Sequence, residues 1–323
     1  MRALVTGGAG FIGSHLVDAL LARGDDVVVL DNLATGRLEN LADAAAFVEG
    51  DVADPGAVAT AVEGCEVVFH QAALGSVARS VDHPLASDES NVRGTLAVLD
   101  GARRAGTRRV VLASSSSVYG GARRVPTPES TPLAPRSPYA VTKLAGEHYA
   151  RVHWELHGLE TVALRYFNVF GPRQRLDGPY AAVIPLFVDA LLRGEPPVLH
   201  GDGGQSRDFT YVADAVQANL RAAAAPADAC AGRAFNVGRG EPVTLLALLG
   251  LVAGEVGVRP VAVHAAARAG DVRRSHADIG AARRDLGYSP AVAVVEGLAR
   301  TVAWFRDRAR VPAAHDGAGL IPE

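Results

Sequence analysis

The residues best suited to chemistry are Tyr139 and Lys143, which lie in the stretch 137–143, Ser-Pro-Tyr-Ala-Val-Thr-Lys. Proline favours the first turn of a helix, and residues four apart lie on the same helix face. At roughly 6 Å and an effective dielectric of about 20, the ammonium favours the phenolate by about 3 kcal/mol, which lowers a tyrosine pKa by about two units. The sequence therefore predicts that Tyr139 acts as a base near neutral pH.

Lys143 is also the only lysine in the chain, because every other Lys or Arg position is arginine. An ammonium on a flexible stem is a compact point charge, which the planar guanidinium of arginine does not reproduce. A tyrosine and a lysine at this spacing are common on ordinary surface helices. The retention of one lysine at this position favours a functional pair over that alternative.

A glycine motif near the start of the chain predicts a dinucleotide site. Gly8, Gly10 and Gly13 form G-x-G-x-x-G between a strand-like segment at 3–6 and an apolar helix expected over 14–23. Such glycines allow a tight turn, close approach of the backbone to a pyrophosphate, and packing of helix on strand. The second strand-like run ends in Asp31, whose carboxylate suits ribose hydroxyls and repels a 2′-phosphate, so NAD is favoured over NADP.

Short β-branched runs then alternate with segments of helical length, which predicts parallel βαβ units. The runs cover residues 47–48, 67–70, 110–113 and 161–165. We therefore expect an α/β fold, a doubly wound parallel sheet of the Rossmann type. Gln71, Ala72 and Ala73 are small enough at a strand end for a cofactor to lie over them, and Asp51 is either a residue near the adenine or a simple turn carboxylate.

Four serines, 114–117, follow the run at 110–113, at the sheet edge where open α/β sheets bind ligands. A hydroxyl here can hydrogen-bond a substrate oxygen beside Tyr139. The pattern becomes less regular after residue 170, so we expect an NAD-binding domain over 1–170 to which later segments return. A smaller substrate lobe is expected over 171–310 and a disordered tail over 311–323.

Within the second lobe the sequence predicts helices over 182–193 and 279–286 and a buried apolar helix over 243–254. Arginines near the glycine-rich segment 201–204 suit a diphosphate, although solvated surface charge explains them equally well.

Composition excludes several classes of function. The formal net charge is −3 and 21% of the residues are charged, which gives no basic footprint for nucleic acid or an anionic membrane. The two cysteines, Cys65 and Cys230, form neither a disulfide framework nor a zinc site, so we expect no metal and a reducing cytoplasm. No signal peptide or membrane span is expected.

Five motifs together resemble the extended short-chain dehydrogenase/reductases that act on nucleotide-diphosphate sugars. They are the segments 7–13, 115–120, 139–143 (Tyr-x-x-x-Lys), 165–168 (Arg-Tyr-Phe-Asn) and 206–209 (Ser-Arg-Asp-Phe), and the resemblance covers about residues 1 to 306. Within that family, the segments 73–77, 138–143 and 270–275 are most similar to UDP-N-acetylglucosamine 4-epimerases.

The resemblance implies a UDP-sugar 4-epimerase with tightly bound NAD, working through a 4-keto sugar. Tyr139 would take the proton of the 4-hydroxyl, Ser115 would hold the same oxygen, and Lys143 would bind the nicotinamide ribose. It implies NAD contacts from Gly7, Gly10, Phe11, Ile12, Gly13, Asp31, Asn32, Gly36, Asp51, Val52, Ala72, Ala73, Tyr139 and Lys143. It implies substrate contacts from Ser76, Ser115, Ser116, Asn168, Arg175, Ala182, Val183, His200, Arg207, Arg268, Asp271 and Ser275. A homodimer through helices over 85–104 and 138–157 is also implied.

Departures from the family pattern bear on the reaction and the sugar. Members that perform 4,6-dehydration carry Asp-Glu where this chain has Ser116 and Ser117, so dehydration and decarboxylation are disfavoured. Arg175 resembles the arginine with which UDP-glucuronic acid 4-epimerases meet the sugar carboxylate. Ser275 falls where enzymes confined to UDP-glucose and UDP-galactose carry a bulky tyrosine, which favours UDP-GlcNAc and UDP-GalNAc. A net nucleotide-sugar oxidoreductase and a non-catalytic NAD-binding protein remain as alternatives.

Overall fold

A computed structural model describes residues 1–122, 124–176, 181–267 and 272–310, without the side chains of residues 309 and 310. The strands are β1 (Arg2–Thr6), β2 (Asp26–Asp31), β3 (Ala46–Glu49), β4 (Val67–His70), β5 (Arg109–Ser115), β6 (Glu160–Tyr166), β7 (Val169–Phe170), β8 (Val198–His200), β9 (Ser206–Asp208), β10 (Thr210–Tyr211), β11 (Arg233–Val237), β12 (Pro242–Thr244) and β13 (Val263–Ala265).

The α-helices are α1 (Phe11–Ala22), α2 (Pro55–Val62), α3 (Val77–Asp82), α4 (Pro84–Asp88), α5 (Gly94–Arg104), α6 (Pro138–His157), α7 (Val183–Leu192), α8 (Val212–Ala224), α9 (Ala227–Cys230), α10 (Leu245–Val256) and α11 (Val294–Arg310). Short 3₁₀ segments cover Leu38–Asn40 and Ser116–Tyr119, and π-helical turns cover Glu89–Arg93 and Ala282–Leu286.

Seven parallel strands form the central sheet in the order β11-β6-β5-β4-β1-β2-β3. The order reverses between β1 and β4, which is the position where open α/β sheets bind ligands. The expected doubly wound Rossmann-type sheet is confirmed. The seventh strand, β11, returns to this sheet from the second half of the chain.

Alternating side chains of the sheet feed two hydrophobic layers, as the period of two in a strand requires. In β1, Ala3 and Val5 pack with α1 and α8, whereas Leu4 packs with α2 and α5 on the opposite face. The buried members of a third hydrophobic cluster come from residues 170–305 and join α7, α10 and α11, and Phe11 and Ile12 of α1 pack against them. The boundary at residue 170 stays a prediction.

Several helix boundaries differ from those expected. The first helix starts at Phe11, not at residue 14, so Gly13 lies in its first turn. The helix expected over 85–104 is α4, a π-helical turn and α5 in succession, and the one expected over 279–286 ends in a π-helical turn.

The helix expected to be buried over 243–254 is α10, and it is buried on one face only. Leu248 and Val252 are fully enclosed, while Leu246 is 50% exposed. The run of apolar residues predicted burial on every side of the helix. The sequence does not show that other elements cover only one side.

Buried Arg109 ties β5 to the end of α8. Its guanidinium contacts the Glu160 carboxylate at 2.6 Å and donates to the carbonyls of Ala222 and Ala225, each at 2.7 Å. These carbonyls belong to the last turn of α8 and its exit, where helical partners run out. Arg108 beside it contacts the same carboxylate at 3.1 Å, but its side chain is 47% exposed.

We expect Arg109→Met to lower the free energy of unfolding by about 3 to 5 kcal/mol, because it leaves the buried carbonyls of Ala222 and Ala225 without this donor and removes the buried half of the Glu160 ion pair. Arg108→Met is the matched control and should cost less than about 1 kcal/mol, since its ion pair is solvated. Urea denaturation of the two variants gives the comparison. Equal losses would contradict this account of α8.

Candidate active site

Helix α6 carries Tyr139 and Lys143 at its start because its first turn is well capped. Ser137 Oγ accepts a hydrogen bond from the Ala140 N–H at 3.2 Å, and Pro138 occupies the first helical position. Ser80 Oγ accepts from the Tyr139 N–H at 3.0 Å, so α3 also holds this turn. The predicted helix and its start are confirmed.

Lys143 is buried at the carboxyl end of β5. Its side chain is 8% exposed overall, and Nζ donates a hydrogen bond to the Ala113 carbonyl at 2.9 Å. Nζ lies 5.9 Å from the centre of the Tyr139 ring. Burial lowers the pKa of Lys143 to about 8, since a charged ammonium loses hydration there.

Tyr139 is half-buried, and Ser115 lies near enough to influence its pKa. Burial raises the pKa of Tyr139, and the nearby Ser115 side chain opposes that rise. The expectation that Lys143 lowers the pKa of Tyr139 below its ordinary value is therefore wrong for the protein without bound NAD. The sequence estimate included the attraction between the two groups and omitted the loss of hydration.

His70 is the other titratable group close to Lys143. Burial, and then the charge of Lys143, lower the pKa of His70 to about 3, so its ring is neutral. Its two nitrogens contact Thr6 Oγ1 at 2.7 Å and Thr95 Oγ1 at 2.9 Å. The ring therefore adds no positive charge beside Tyr139.

The glycine loop leaves no room for side chains. Gly7 has a φ of +69°, and a Cβ there would lie 2.6 Å from the Ala72 nitrogen. A Cβ on Gly13 would lie 2.1 Å from the Gly7 carbonyl oxygen. Helix α1 starts directly after Gly10, with no side-chain cap and no acidic residue in its first turn. These features fit a diphosphate at the positive end of a helix.

Asp31 ends β2 and organises the adjacent loop. Its carboxylate accepts hydrogen bonds from the Ala9 N–H at 3.0 Å and the Leu33 N–H at 2.8 Å. Burial raises its pKa, and these hydrogen bonds oppose the rise. A Cβ on Gly36 would lie 2.9 Å from this carboxylate, so Gly36 must stay small there.

A cavity of about 580 Å³ opens beside this loop. The residues predicted for NAD that line it are Gly7, Gly10, Phe11, Ile12, Gly13, Asp31, Asn32, Val52, Ala72 and Ala73. Gly36, Asp51, Tyr139 and Lys143 are not among its lining residues, although Asp51 accepts a hydrogen bond from the Asn32 side chain at 2.8 Å. The donor set, the space and the glycine loop fit an NAD molecule.

The same cavity contains residues that the sequence did not single out. Trp304 and Arg308 of α11 line it, and Arg308 contacts the Glu39 carboxylate from the loop after β2. Asn40 is buried and donates to the Ala9 carbonyl at 2.9 Å. No sequence motif marks these residues, because they meet across the whole length of the chain.

Asn91 was also missed, and it lies in the π-helical turn before α5. Its Oδ1 accepts from the Leu74 N–H at 2.8 Å, and its Nδ2 donates to Thr142 Oγ1 at 3.1 Å. Asn91 thus joins the loop after β4 to α6. An irregular turn inside an apparently continuous helix left no signal in the sequence.

A second cavity of about 510 Å³ lies in the other half of the chain. Five of the residues predicted for substrate line it: Asn168, Ala182, Val183, His200 and Arg207. Gln174, Ala181, Ala182 and Asp189 line both cavities, which therefore adjoin. Gln174 Oε1 is buried and accepts no hydrogen bond within the described part of the chain, so it can accept one from a ligand.

The remaining predicted substrate residues are more scattered. Arg175 lines the first cavity and donates to the Thr35 carbonyl at 3.3 Å, and Ser76 caps α3. Ser115, Ser116 and Ser275 line neither cavity, although the Ser275 N–H donates to the Ser206 carbonyl at 3.1 Å. Arg268 and Asp271 lie outside the described residues.

The described residues contain no group of three or more His, Cys, Asp or Glu side chains that could hold a metal ion. None of the described helices is both long enough and apolar enough to cross a bilayer.

The doubly wound sheet, the glycine loop and the Ser-Tyr-Lys group define an NAD-binding α/β fold of the short-chain dehydrogenase/reductase type. The chain belongs to the NAD dependent epimerase/dehydratase family, which it matches over residues 3–238.

Named relatives agree with this membership. The chain is 44% identical over 317 residues to a UDP-glucose 4-epimerase of Mycolicibacterium smegmatis. The alignment covers 96% of this chain and 100% of the relative. It superposes with a TM-score of 0.92 and 38% identity on a UDP-glucose 4-epimerase of Thermotoga maritima solved with UDP-glucose, over 96% of this chain and 100% of that one. The chain also superposes on a UDP-N-acetylglucosamine 4-epimerase of Methanobrevibacter ruminantium, solved with UDP-N-acetylmuramic acid. The TM-score is 0.89 and the sequence identity is 38%, over 95% of this chain and 98% of that one.

Proposed function

We propose that the protein interconverts the C4 epimers of a UDP-sugar through a transient 4-keto sugar, with NAD bound throughout. The observation that carries the proposal is the buried Lys143 ammonium 5.9 Å from the Tyr139 ring, at the strand end that carries Ser115. Relatives that share the fold over nearly their whole length are named as UDP-sugar 4-epimerases. Among reactions open to this family, epimerisation needs no catalytic group beyond these three.

Each side chain has a separate task. Tyr139 accepts the proton of the sugar 4-hydroxyl, and Ser115 hydrogen-bonds the same oxygen as its charge changes. When bound, NAD⁺ supplies a reversible hydride acceptor for the sugar C4 and a positive charge on its nicotinamide ring. Lys143 adds a second positive charge, which opposes the rise in the Tyr139 pKa caused by burial. Tyr139 returns the proton when C4 is reduced on its other face, so no atom is gained or lost.

The second cavity suits the UDP group. Arg207 supplies a guanidinium that can form paired hydrogen bonds with phosphate oxygens. Ala182 and Val183 open α7, whose first N–H groups lack helical partners and can meet an anion. His200 and Asn168 supply further polar groups to the same wall. Arg268 and Asp271 keep their sequence-based assignment to this group.

Dehydration of the sugar, which the family name also covers, is disfavoured. It needs a carboxylic acid and a carboxylate next to Ser115, and Ser116 and Ser117 supply only hydroxyls at those positions. A hydroxyl with an ordinary pKa neither protonates a leaving hydroxide nor removes a carbon-bound proton at neutral pH. Net oxidation or reduction would need NAD to exchange at every turnover, so activity without added cofactor separates epimerase from oxidoreductase.

The favoured substrates are UDP-GlcNAc and UDP-GalNAc, with UDP-glucose and UDP-galactose as additional substrates. The support for this choice is the resemblance at Ser275, a small residue where enzymes confined to UDP-glucose and UDP-galactose carry a bulky tyrosine, although Ser275 lines neither cavity. Arg175 would indicate a uronate, and its guanidinium contacts Thr35 beside the first cavity. UDP-glucuronate is therefore the alternative substrate.

We also infer a homodimer in the cytoplasm. Leu85, Val81 and Leu156 are 85%, 62% and 71% exposed on the neighbouring helices α4, α3 and α6. A second copy covering these side chains would remove them from water, and the mass of the protein in solution tests it. Cys65 and Cys230 are buried free thiols, which suits a reducing compartment.

We expect Tyr139→Phe and Lys143→Met to lower kcat for UDP-sugar epimerisation by about 10² to 10⁴-fold. The first change removes the proton acceptor, and the second removes the charge that supports it. Turnover of UDP-hexoses by NAD-loaded protein, followed by chromatography of the products, measures both effects. Near-normal kcat in either variant would contradict the mechanism, provided that NAD content and UDP binding match those of the wild type.

For the sugar, we expect Ser275→Tyr to lower kcat/KM for UDP-GlcNAc by about 10-fold or more while sparing UDP-glucose. Overfilling a close-packed site costs roughly 1 to 3 kcal/mol, and only the acetamido sugar needs the space. Ser275→Ala is the control and should leave the ratio of the two kcat/KM values unchanged. An unchanged ratio in Ser275→Tyr would remove Ser275 as the determinant, and activity confined to UDP-glucuronate would contradict the proposed substrates.

A further inference from the structure

A buried polar cluster includes side chains of β5 and α6, the two elements that carry the three catalytic residues. We define it as Ser114, Tyr119, Glu147, Arg165 and Asn236, all of which are less than 10% exposed. None of these side chains is needed for the proton or hydride transfers described above. A charged cluster that is taken out of water is costly, so its presence next to the active site needs an explanation.

An ion pair with paired hydrogen bonds forms the centre of the cluster. Arg165 donates through Nε to Glu147 Oε1 at 2.9 Å and through Nη2 to Glu147 Oε2 at 2.7 Å. Ser114 Oγ also donates to Glu147 Oε1. Such paired hydrogen bonds fix the orientation of both groups, not only their distance.

The hydrogen-bond chain continues away from Glu147. Arg165 Nη1 donates to the Tyr119 hydroxyl at 2.8 Å, and that hydroxyl donates to Asn236 Oδ1 at 2.7 Å. Burial raises the pKa of Tyr119 to about 12, so the phenol keeps the proton that it donates. The cluster therefore joins β5, β6, β11 and α6.

The positions of these residues along the chain connect the cluster to catalysis. Glu147 lies one helical turn beyond Lys143 and two turns beyond Tyr139 on α6. Ser114 directly precedes Ser115, and Tyr119 ends the 3₁₀ turn that follows Ser115. Arg165 is the β6 residue paired with Ser114. The cluster thus holds both the end of β5, which carries Ser115, and α6, which carries Tyr139.

We propose that Glu147 and Arg165 are positioning residues. They fix the position of α6 along β5, so that the Tyr139 hydroxyl lies next to Ser115. An apolar pair of similar size would fill the space and support the fold, but it would not fix the position of α6 along the strand. A proton acceptor must lie within hydrogen-bonding distance, and a displacement of about 1 Å can cost roughly 10²-fold in rate. This inference rests on the proposed epimerase function.

The test is the double variant Glu147→Met with Arg165→Met, which removes both charges and keeps the volume. We expect it to fold and to retain NAD, with KM for the UDP-sugar close to wild type and kcat lowered by about 10²-fold. The acid limb of the pH profile of kcat should shift to higher pH, because displacing Tyr139 from Ser115 weakens the interaction that opposes the rise in the Tyr139 pKa.

Arg109→Met is the matched control because it breaks another buried ion pair at the far end of the same strand, β5. It should lower stability without moving the pH profile. Tyr119→Phe removes only the hydroxyl that links Arg165 to Asn236, and we expect a loss of kcat of severalfold at unchanged KM. If the double variant does not fold, Tyr119→Phe decides the question by the same two measurements.

The inference would be overturned if the folded double variant kept the wild-type kcat and pH profile. It would also be overturned if Arg109→Met lost as much kcat as the double variant and neither variant shifted the pH profile. Ultraviolet titration of the tyrosinate, with Tyr139→Phe as reference, measures the Tyr139 pKa without any substrate. A wild-type protein that does not epimerise any UDP-sugar would refute the proposed function, while the tyrosinate titration would still test the positioning of Tyr139.

Discussion

The structure depends on burying a lysine ammonium at the carboxyl end of a parallel strand, β5. In the described part of the chain Lys143 has no carboxylate partner, and its ammonium donates a hydrogen bond to the Ala113 carbonyl. Burial without a counter-ion lowers the pKa of Lys143 to about 8, so the site holds its positive charge at a cost in free energy. That cost makes sense only if a negative charge forms nearby, and the Tyr139 phenolate is the group placed to carry it.

The surrounding elements keep this pair in place. Ser137 and Ser80 hold the first turn of α6, Ala113 holds the ammonium, and the Glu147–Arg165 ion pair holds the next turns against β5 and β6. The carboxyl ends of the parallel strands bring the glycine loop and Ser115 to the same edge of the sheet. The catalytic group is thus a consequence of where one helix lies on the sheet.

Much of this arrangement could be predicted from the sequence because local patterns carry it. The continuous apolar runs of β1 and β2, the glycine spacing from Gly7 to Gly13, and the Tyr139 to Lys143 spacing each depend on residues close together in the chain. The sign of the Tyr139 pKa shift could not be predicted, because it depends on how much water the folded chain excludes. Likewise, Trp304 and Arg308 reach the first cavity only through long-range packing, which leaves no periodic pattern. The position of Arg175 beside Thr35 likewise depends on long-range packing and could not be predicted from the sequence.

The central claim is that the hydrogen on C4 leaves the sugar and returns to the same molecule without exchange with water. The most direct measurement uses UDP-N-acetylglucosamine labelled with deuterium at C4, incubated in ordinary water without added NAD, with the product analysed by mass spectrometry and proton NMR. The account predicts UDP-N-acetylgalactosamine that retains deuterium at C4, formed more slowly than from unlabelled substrate. Loss of the deuterium to solvent, or a requirement for added NAD at every turnover, would contradict it.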